Sequence, residues 1–319
     1  MFRGSKGMVV NKIQIKDFTV FKDFEVDFSE GVNLFIGENG TGKTHLLKIL
    51  YSYLSGHGYE KVLRCKKEEL CNSPRSSCKL TVNEITEDIP SHGFDNDVDV
   101  RTDNIFVPAK DMLTHSKTIA WLARDYRKTM AFDQTLIDIV HKALRPHPDN
   151  IPELARIVAD MFDITEVIGG EVIEDNEEFF IRNTEDKKDI RFYVVAEGHK
   201  KLGLLWQLLM NGSITKDSII LWDEPEANIH PQLISDLVEV MLELSRRGMQ
   251  IFIATHDYVF SKYVEVKMKS TDGVKFHALH HTDEGLKIES QSRFTSLENN
   301  GIIAETVKLY KEELKKVME

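Results

Sequence analysis

The stretch Gly37-Glu38-Asn39-Gly40-Thr41-Gly42-Lys43-Thr44 matches the pattern G-x-x-x-x-G-K-[S/T]. An apolar run at residues 32–36 predicts a strand before it, and apolar residues at helical spacing predict a helix after it. In this setting the glycines let backbone N–H groups converge on phosphates, the lysine neutralises the β- and γ-phosphates, and the threonine hydroxyl can bind Mg²⁺. The sequence therefore predicts a nucleoside triphosphate site at this loop.

Two adjacent carboxylates, Asp223 and Glu224, follow the apolar run at residues 219–222. Uncompensated buried charge is strongly disfavoured, so this pair is expected to hold an ion or a proton. We expect Asp223 to bind Mg²⁺ directly or through water, and Glu224 to polarise the attacking water. His256 follows the next predicted strand, and its position at the same edge of the sheet favours a contact with the γ-phosphate over a purely structural role.

Short apolar segments and helical patterns alternate along the rest of the chain. Apolar runs at residues 219–222 and 251–254, joined by a predicted helix at 232–247, are typical of parallel strands buried on both faces. The sequence predicts an α/β fold with a mixed or mainly parallel central sheet, N-terminal antiparallel strands and a small helical lobe. The other predicted elements are three strands within residues 12–37, one strand at 79–85, one at 104–107, two or three helices of roughly 20 residues within 114–162, a hairpin at 275–288 and a final helix at 297–318.

The composition excludes a chain embedded in a membrane. Its 319 residues are 41% hydrophobic and 29% charged, and no apolar run approaches the ~18 residues that span a bilayer. The first residues lack the apolar core of a signal peptide, so we expect a cytoplasmic protein without a membrane partner. The net charge of −11 would repel nucleic acid unless basic residues are gathered on one face.

The order of these motifs resembles the ABC-type ATPases of the RecF, SMC and OLD (overcoming lysogenisation defect) branch. The resemblance rests on the phosphate loop, on residues 219–224, 226–231 and 254–257, and on the predicted N-terminal strands. It implies a P-loop fold that binds ATP and Mg²⁺, in which two heads sandwich two ATP molecules and the signature loop of one head caps the γ-phosphate held by the other. Because only residues 257–319 follow His256, the chain resembles an OLD-like ATPase without a C-terminal nuclease domain.

Residues 195–202 stand where the resemblance places the signature loop, but they depart from its usual Leu-Ser-Gly-Gly pattern. Ala196 replaces the serine and Glu197 replaces a glycine, so that Gly198, the helix N-terminus and Lys200 remain to bind the phosphate. The glutamine loop is also missing, because no glutamine occurs between residues 14 and 134. Lys110 or Asp111 stands at that position and is a candidate substitute.

The resemblance and the motifs together give the predicted site and domains. The predicted catalytic residues are Glu224, His256 and Lys43, and the predicted Mg²⁺ ligands are Thr44 and Asp223. The predicted nucleotide-binding residues are Gly37, Glu38, Asn39, Gly40, Thr41, Gly42, Lys43, Thr44, His45, Gly198 and Lys200. Residues 1–110 and 166–319 are predicted to form two parts of an ATPase core, with the helical lobe at 111–165.

The main functional hypothesis is an ATP-driven switch in defence against phages and mobile DNA or in DNA repair. ATP would close a head-to-tail homodimer, and hydrolysis would open it to control a separate effector chain, such as a nuclease or a toxin. Two alternatives stay open at this stage. A transporter-type nucleotide-binding subunit would copurify with a membrane protein, and an ATP sensor without turnover would release phosphate no faster than a Glu224→Gln variant.

DNA is a further candidate partner. Basic residues outnumber acidic ones in residues 60–79, and a second small cluster lies in residues 124–128. Both clusters could equally be solvated surface. If they bind DNA, its affinity should fall steeply with added salt. The basic residues concerned are Lys61, Arg64, Lys66, Lys67, Arg75, Lys79, Arg124, Arg127 and Lys128.

Overall fold

Three β-sheets organise the computed structural model, which describes residues 7–89, 104–125, 132–283 and 285–318. The strands are β1 (Val10–Phe18), β2 (Phe21–Asp27), β3 (Val32–Gly37), β4 (Ser77–Val82), β5 (Ile85–Ile89), β6 (Asn104–Val107), β7 (Gly170–Asp175), β8 (Glu178–Asn183), β9 (Asp189–Arg191), β10 (Ile219–Asp223), β11 (Gln250–Thr255), β12 (Lys275–Thr282) and β13 (Gly285–Gln291). The α-helices are α1 (Lys43–Ser55), α2 (Tyr59–Leu63), α3 (Lys67–Leu70), α4 (Ser116–Asp125), α5 (Gln134–Ala143), α6 (Glu153–Met161), α7 (Ile164–Ile168), α8 (Glu197–Met210), α9 (Pro231–Arg246), α10 (Tyr258–Lys267) and α11 (Gly301–Met318).

The central sheet has six strands in the order β13-β12-β3-β11-β10-β6. Its strands pair in parallel, except that β13 returns antiparallel to β12. Every residue of β3, β6, β10 and β11 is buried, which explains the continuous apolar runs. The register pairs Asp223 with Ala254 and Thr255 with Ile36, so the ends of β10, β11 and β3 meet at one edge. The predicted α/β class with a mixed central sheet is confirmed.

The N-terminal strands form a second, antiparallel sheet in the order β2-β1-β4-β5. Side chains from this sheet, from α1 and from one face of the central sheet share a hydrophobic core cluster, so α1 lies between the two sheets. One expectation was wrong here. The single strand predicted at residues 79–85 is a hairpin, because Asn83 and Glu84 adopt left-handed backbone angles (φ 47° and 67°) and turn the chain between β4 and β5.

A group of short helices, α4 to α7, packs with α8 against the other face of the central sheet. Helices α4 and α5 have 10 residues each and α6 has 9, about half of the predicted length. The segment holding Pro146, Pro148 and Pro152 separates α5 from α6, because proline cannot continue a helix. The three-stranded sheet β7-β8-β9 follows these helices. The domain boundaries at residues 110 and 165 stay predictions.

Candidate functional site

The phosphate loop connects β3 to α1 and depends on its glycines. Gly40 and Gly42 have φ angles of 83° and 82°, a region that favours glycine. A Cβ atom on Gly37 would lie 2.5 Å from the carbonyl oxygen of Leu279, and one on Gly42 would lie 2.6 Å from Val20 Cγ2. No side chain caps the start of α1, so its first N–H groups are available to an anion.

Lys43 holds its ammonium group inside this loop. The Nζ atom donates hydrogen bonds to the carbonyl oxygens of Gly37 (2.7 Å) and Glu38 (2.8 Å). Burial lowers the pKa of Lys43, and the nearby carboxylates of Glu224 and Asp223 oppose that shift. The ammonium lies at a cavity of about 210 Å³ whose lining residues are Val20, Asn39, Gly40, Gly42, Lys43, Thr44, His45 and Glu224.

Thr44 and Asp223 meet across the gap between α1 and β10. The Thr44 hydroxyl lies 3.0 Å from each carboxylate oxygen of Asp223. Burial raises the pKa of Asp223, and the hydrogen bond from Thr44 opposes this shift. Hydroxyl and carboxylate oxygens are ligands that Mg²⁺ prefers, and phosphate and water oxygens usually complete its shell. The donor set therefore fits Mg²⁺. Across the described ranges, no cluster of three or more histidine, cysteine or acidic side chains offers another metal site.

Glu224 and His256 form a second pair at the same edge of the sheet. The Nδ1 atom of His256 lies 3.2 Å from Glu224 Oε1, and both side chains reach solvent. Glu224 has a left-handed backbone (φ 47°), and its N–H donates to the carbonyl oxygen of Ala254 (2.8 Å). The structure thus brings Glu224, Asp223, Lys43 and Thr44 to one place, and their roles in binding and catalysis stay predictions.

The predicted signature residues lie apart from this cavity, at the start of α8. Gly198 packs so closely that a Cβ atom there would lie 2.6 Å from the carbonyl oxygen of Asn228. The Lys200 ammonium is buried, 2.7 Å from Glu197 and 3.8 Å from Asp111. Lys200 therefore faces carboxylates of its own chain, and its contact with a phosphate stays a prediction. The Asp111 pairing links the loop after β6, where the glutamine loop was expected, to α8.

Sequence reasoning missed two buried ionisable residues beside the site. Lys201 donates from Nζ to the carbonyl oxygens of Glu224 (2.7 Å) and Ala227 (3.0 Å). Glu226 accepts a hydrogen bond from Thr255 Oγ1 (2.6 Å), and burial raises its pKa. A sequence signal for Lys201 was available, because this lysine directly precedes the apolar run at residues 202–205 of a predicted helix.

A polar network joins α1 to the helical lobe. Lys48 pairs with Asp133 (2.7 Å), the residue that caps the start of α5. Asp138, on α5, accepts hydrogen bonds from the Tyr51 hydroxyl (2.5 Å) and from Gln134 (2.7 Å), and it lies 3.2 Å from His57 Nε2. The helix that starts at the phosphate loop is therefore tied to the lobe through buried polar contacts.

The chain matches two known protein families. Residues 96–261, more than half of the chain, match the family described as "AAA domain, putative AbiEii toxin, Type IV TA system". Residues 8–89 match the family described as "AAA ATPase domain". The two matches are separated by residues 90–95 and together include the phosphate loop, Asp223, Glu224 and His256.

Curated relatives match over short segments. The DNA replication and repair protein RecF of Oenococcus oeni is 46% identical over 44 residues, which are 14% of this chain and 12% of the relative. The L-cystine import ATP-binding protein TcyN of Bacillus subtilis is 34% identical over 71 residues, 22% of this chain and 23% of the relative. The chain thus spans less than a quarter of the length of either relative.

Solved structures share the fold over most of the chain. An SMC head bound to the C-terminal winged-helix domain of ScpA has a TM-score of 0.58 at 14% identity, covering 90% of this chain and 99% of the other. The Smc head domain bound to the C-terminal domain of ScpA, derived from Pyrococcus furiosus, has a TM-score of 0.56 at 13% identity, covering 96% and 99%. These structures show that the chain shares the fold of SMC heads. Because its model matches more than half of the chain, the chain belongs to the family described as "AAA domain, putative AbiEii toxin, Type IV TA system", and this match, the AAA ATPase match and the RecF similarity support an ABC-type ATPase of the RecF and SMC branch.

Proposed function

We propose that this chain binds ATP with Mg²⁺, hydrolyses it slowly, and uses the cycle as a switch. The observation that carries the proposal is the meeting of Thr44 with Asp223, 3.0 Å apart, at the mouth of a glycine loop that also holds Lys43. A hydroxyl, a carboxylate and an ammonium at a helix N-terminus are the groups that a triphosphate and its cation require.

Each residue of the site has a role in the proposed reaction. The α1 amides and Lys43 bind the β- and γ-phosphates. Mg²⁺, held through Thr44 and Asp223, would neutralise negative charge on the phosphate oxygens. Water attacks the γ-phosphorus as the bond to the ADP oxygen breaks, and the Glu224 carboxylate accepts the water's proton. His256, 3.2 Å from Glu224, orients that carboxylate and contacts the γ-phosphate.

The switch requires two copies of the chain. The start of α8 would face the triphosphate held by the other copy, with Gly198 and the helix N-terminus as its binding groups. Tyr193 and Val194, immediately before this loop, are 59% and 77% exposed. Large apolar side chains at such exposure support a surface that a second copy covers. The proposed assembly is a homodimer closed by two ATP molecules.

The dimer would control a separate effector chain, such as a nuclease or a toxin, in the cytoplasm. The proposed biological role is defence against phages and mobile DNA or DNA repair. In the described part of the chain, no helix is both long and apolar enough to cross a bilayer. DNA is a further proposed ligand of the basic residues at 61–79 and of the second cluster. DNA would compete with carboxylates of the same chain, because Lys79 lies 3.4 Å from Asp88 and Arg124 lies 2.6 Å from Glu177. Arg127 and Lys128 lie outside the described residues.

The second candidate function is an ATP sensor that hydrolyses little ATP. Ala196 favours it, because the residue at the serine position of the signature loop offers no hydroxyl to a phosphate and no side chain caps α8. Such a chain would still close around ATP and would open only when the nucleotide dissociates.

Phosphate release decides between the two candidates. We expect the native chain to release phosphate slowly, and Glu224→Gln to release none above background while forming a stable ATP-bound dimer. Lys43→Met should bind no ATP and stay monomeric. Equal phosphate release by the native chain and Glu224→Gln would favour the sensor, and absence of ATP binding by the native chain would refute both functions.

A further inference from the structure

The loop between β10 and α9 contains two residues in a backbone conformation that non-glycine residues rarely adopt. Glu224 has φ 47° and Asn228 has φ 65°. Such conformations cost free energy and persist only where surrounding contacts fix them. Glu224 is also the proposed catalytic base, so the contacts that fix its backbone also set the position of its carboxylate.

Both residues lie against the start of α8. The Lys201 ammonium donates to the carbonyl oxygen of Glu224 at 2.7 Å and to that of Ala227 at 3.0 Å. Gly198, three residues earlier in the same turn, lets the helix backbone approach the carbonyl of Asn228 so closely that no Cβ atom would fit. The opposite end of the Glu224 peptide is fixed by the sheet, because its N–H donates to Ala254.

The charge of Lys201 strengthens its two hydrogen bonds to the loop. Its side chain is 7% exposed, and burial lowers its pKa to about 8, although the carboxylates of Glu226, Glu224 and Asp223 act to raise it. The ammonium is therefore mostly charged at neutral pH, and hydrogen bonds from a charged donor are stronger than neutral ones. A neutral side chain of the same length would leave both carbonyl groups without this donor.

We propose that Lys201 is a positioning residue that couples the start of α8 to Glu224. Lys201 holds the left-handed backbone of Glu224, which keeps the carboxylate beside His256. Gly198 and Lys201 belong to the same helical turn, so a displacement of that turn changes the loop that carries Glu224. The coupling rests on the proposed function, in which the start of α8 contacts the triphosphate of the other copy. It makes hydrolysis in one head depend on ATP held by the other.

The test compares Lys201→Met with Lys201→Arg, and uses the exposed Lys216→Met as a matched control. We expect Lys201→Met to lower kcat at least about 10-fold while its affinity for ATP stays within about twofold of native. Lys201→Arg keeps a charged donor and should recover most of the lost kcat, and Lys216→Met should match the native chain. Native kcat in Lys201→Met, or equal losses of kcat and affinity, would overturn the positioning role.

A second measurement does not depend on turnover. Amide hydrogen exchange of residues 224–229 should be at least about 10-fold faster in Lys201→Met than in the native chain, while exchange in α1 stays unchanged and shows that the protein is folded. Unchanged exchange in residues 224–229 would overturn the proposal. If the native chain hydrolyses ATP no faster than Glu224→Gln, the proposed hydrolysis fails, and hydrogen exchange still decides whether Lys201 holds the loop.

Discussion

The Thr44 hydroxyl lies 3.0 Å from both carboxylate oxygens of Asp223, although the two residues are far apart in the sequence. A hydroxyl group has one proton, so it can donate to only one of these oxygens at a time. The other oxygen and the hydroxyl lone pairs remain available to a cation. This relationship connects the start of α1 to the end of β10 and gives the site its proposed dependence on Mg²⁺.

The first prediction concerns this pair. We expect Thr44→Val to weaken ATP binding at least about 10-fold in the presence of Mg²⁺, because an oxygen ligand is lost from the proposed metal site. In EDTA the same variant should bind ATP within about twofold of native. Calorimetric titration under the two conditions gives both values. Thr44→Ser keeps the hydroxyl and serves as the control; an equal loss of affinity with and without Mg²⁺ would argue against a metal role for Thr44.

The second prediction concerns the stability of a Lys43→Met variant with and without nucleotide. Burial lowers its pKa, so the ammonium is held in the loop at a cost in desolvation. We expect Lys43→Met to unfold within about 1 kcal/mol of the native chain without nucleotide. With ATP and Mg²⁺ at 100 times the native Kd, the native chain should gain about 2.7 kcal/mol and the variant nothing. Denaturation with and without nucleotide measures the stability of each chain and its stabilisation by ATP. If ATP stabilises Lys43→Met as much as the native chain, Lys43 does not contribute to ATP binding.

Local patterns were enough to predict much of this fold. The continuous apolar residues of β3, β10 and β11 and the glycine loop of residues 37–44 are short-range signals, and the structure confirms the elements they predicted. The β4–β5 hairpin was missed because residues 83–84 contain no glycine, the usual sequence signal for a left-handed turn. The helices of the lobe are shorter than predicted, because the positions of helix ends depend on capping and tertiary packing.

The candidate site, like the fold, could be predicted from the sequence only where local motifs define it. The motifs predicted Lys43, Thr44, Asp223 and Glu224 as site residues because each lies at the end of a strand or the start of a helix. The structure brings these residues together, and their roles stay predictions. The contact between Lys201 and the Glu224 carbonyl joins residues on different elements, and its partner is a backbone atom. Backbone carbonyl groups carry no side-chain signal, so the sequence pattern alone could not predict this contact.

The third prediction concerns the link between α1 and the lobe. Burial acts to raise the pKa of Asp138, but hydrogen bonds from His57, Tyr51 and Gln134 together outweigh this effect. The pKa is therefore lowered, and the carboxylate is charged and well partnered. We expect Asp138→Ala to destabilise the chain by about 3 kcal/mol, because the buried Tyr51 and Gln134 and the partly buried His57 lose their acceptor. Urea denaturation measures this change. Asp160→Ala, on the exposed side of α6, should change stability by less than about 0.5 kcal/mol. Equal stability of the two variants would mean that the network contributes little.

The last prediction is a dependence of stability on pH that arises from His277. This residue is fully buried in β12, where Nδ1 lies 2.7 Å from Ser290 Oγ and the ring stacks on Phe35 with centroids 5.1 Å apart. Burial lowers the pKa of His277 to about 3, with a smaller effect from Lys275. The folded chain therefore holds the neutral ring, whereas the unfolded chain binds a proton below about pH 6.5.

Because the unfolded state binds this extra proton, stability must fall as the pH falls. His277 should cost about 1.4 kcal/mol for each pH unit below about 6.5, until the folded-state pKa is reached. Denaturation of the native chain and of His277→Gln between pH 7 and about pH 5 isolates this contribution, because glutamine does not titrate. His281→Gln, at an exposed position of the same strand, should keep the native slope. If His277→Gln and the native chain lose stability with the same slope, the buried ring is protonated in the folded state and the pH dependence arises from other groups.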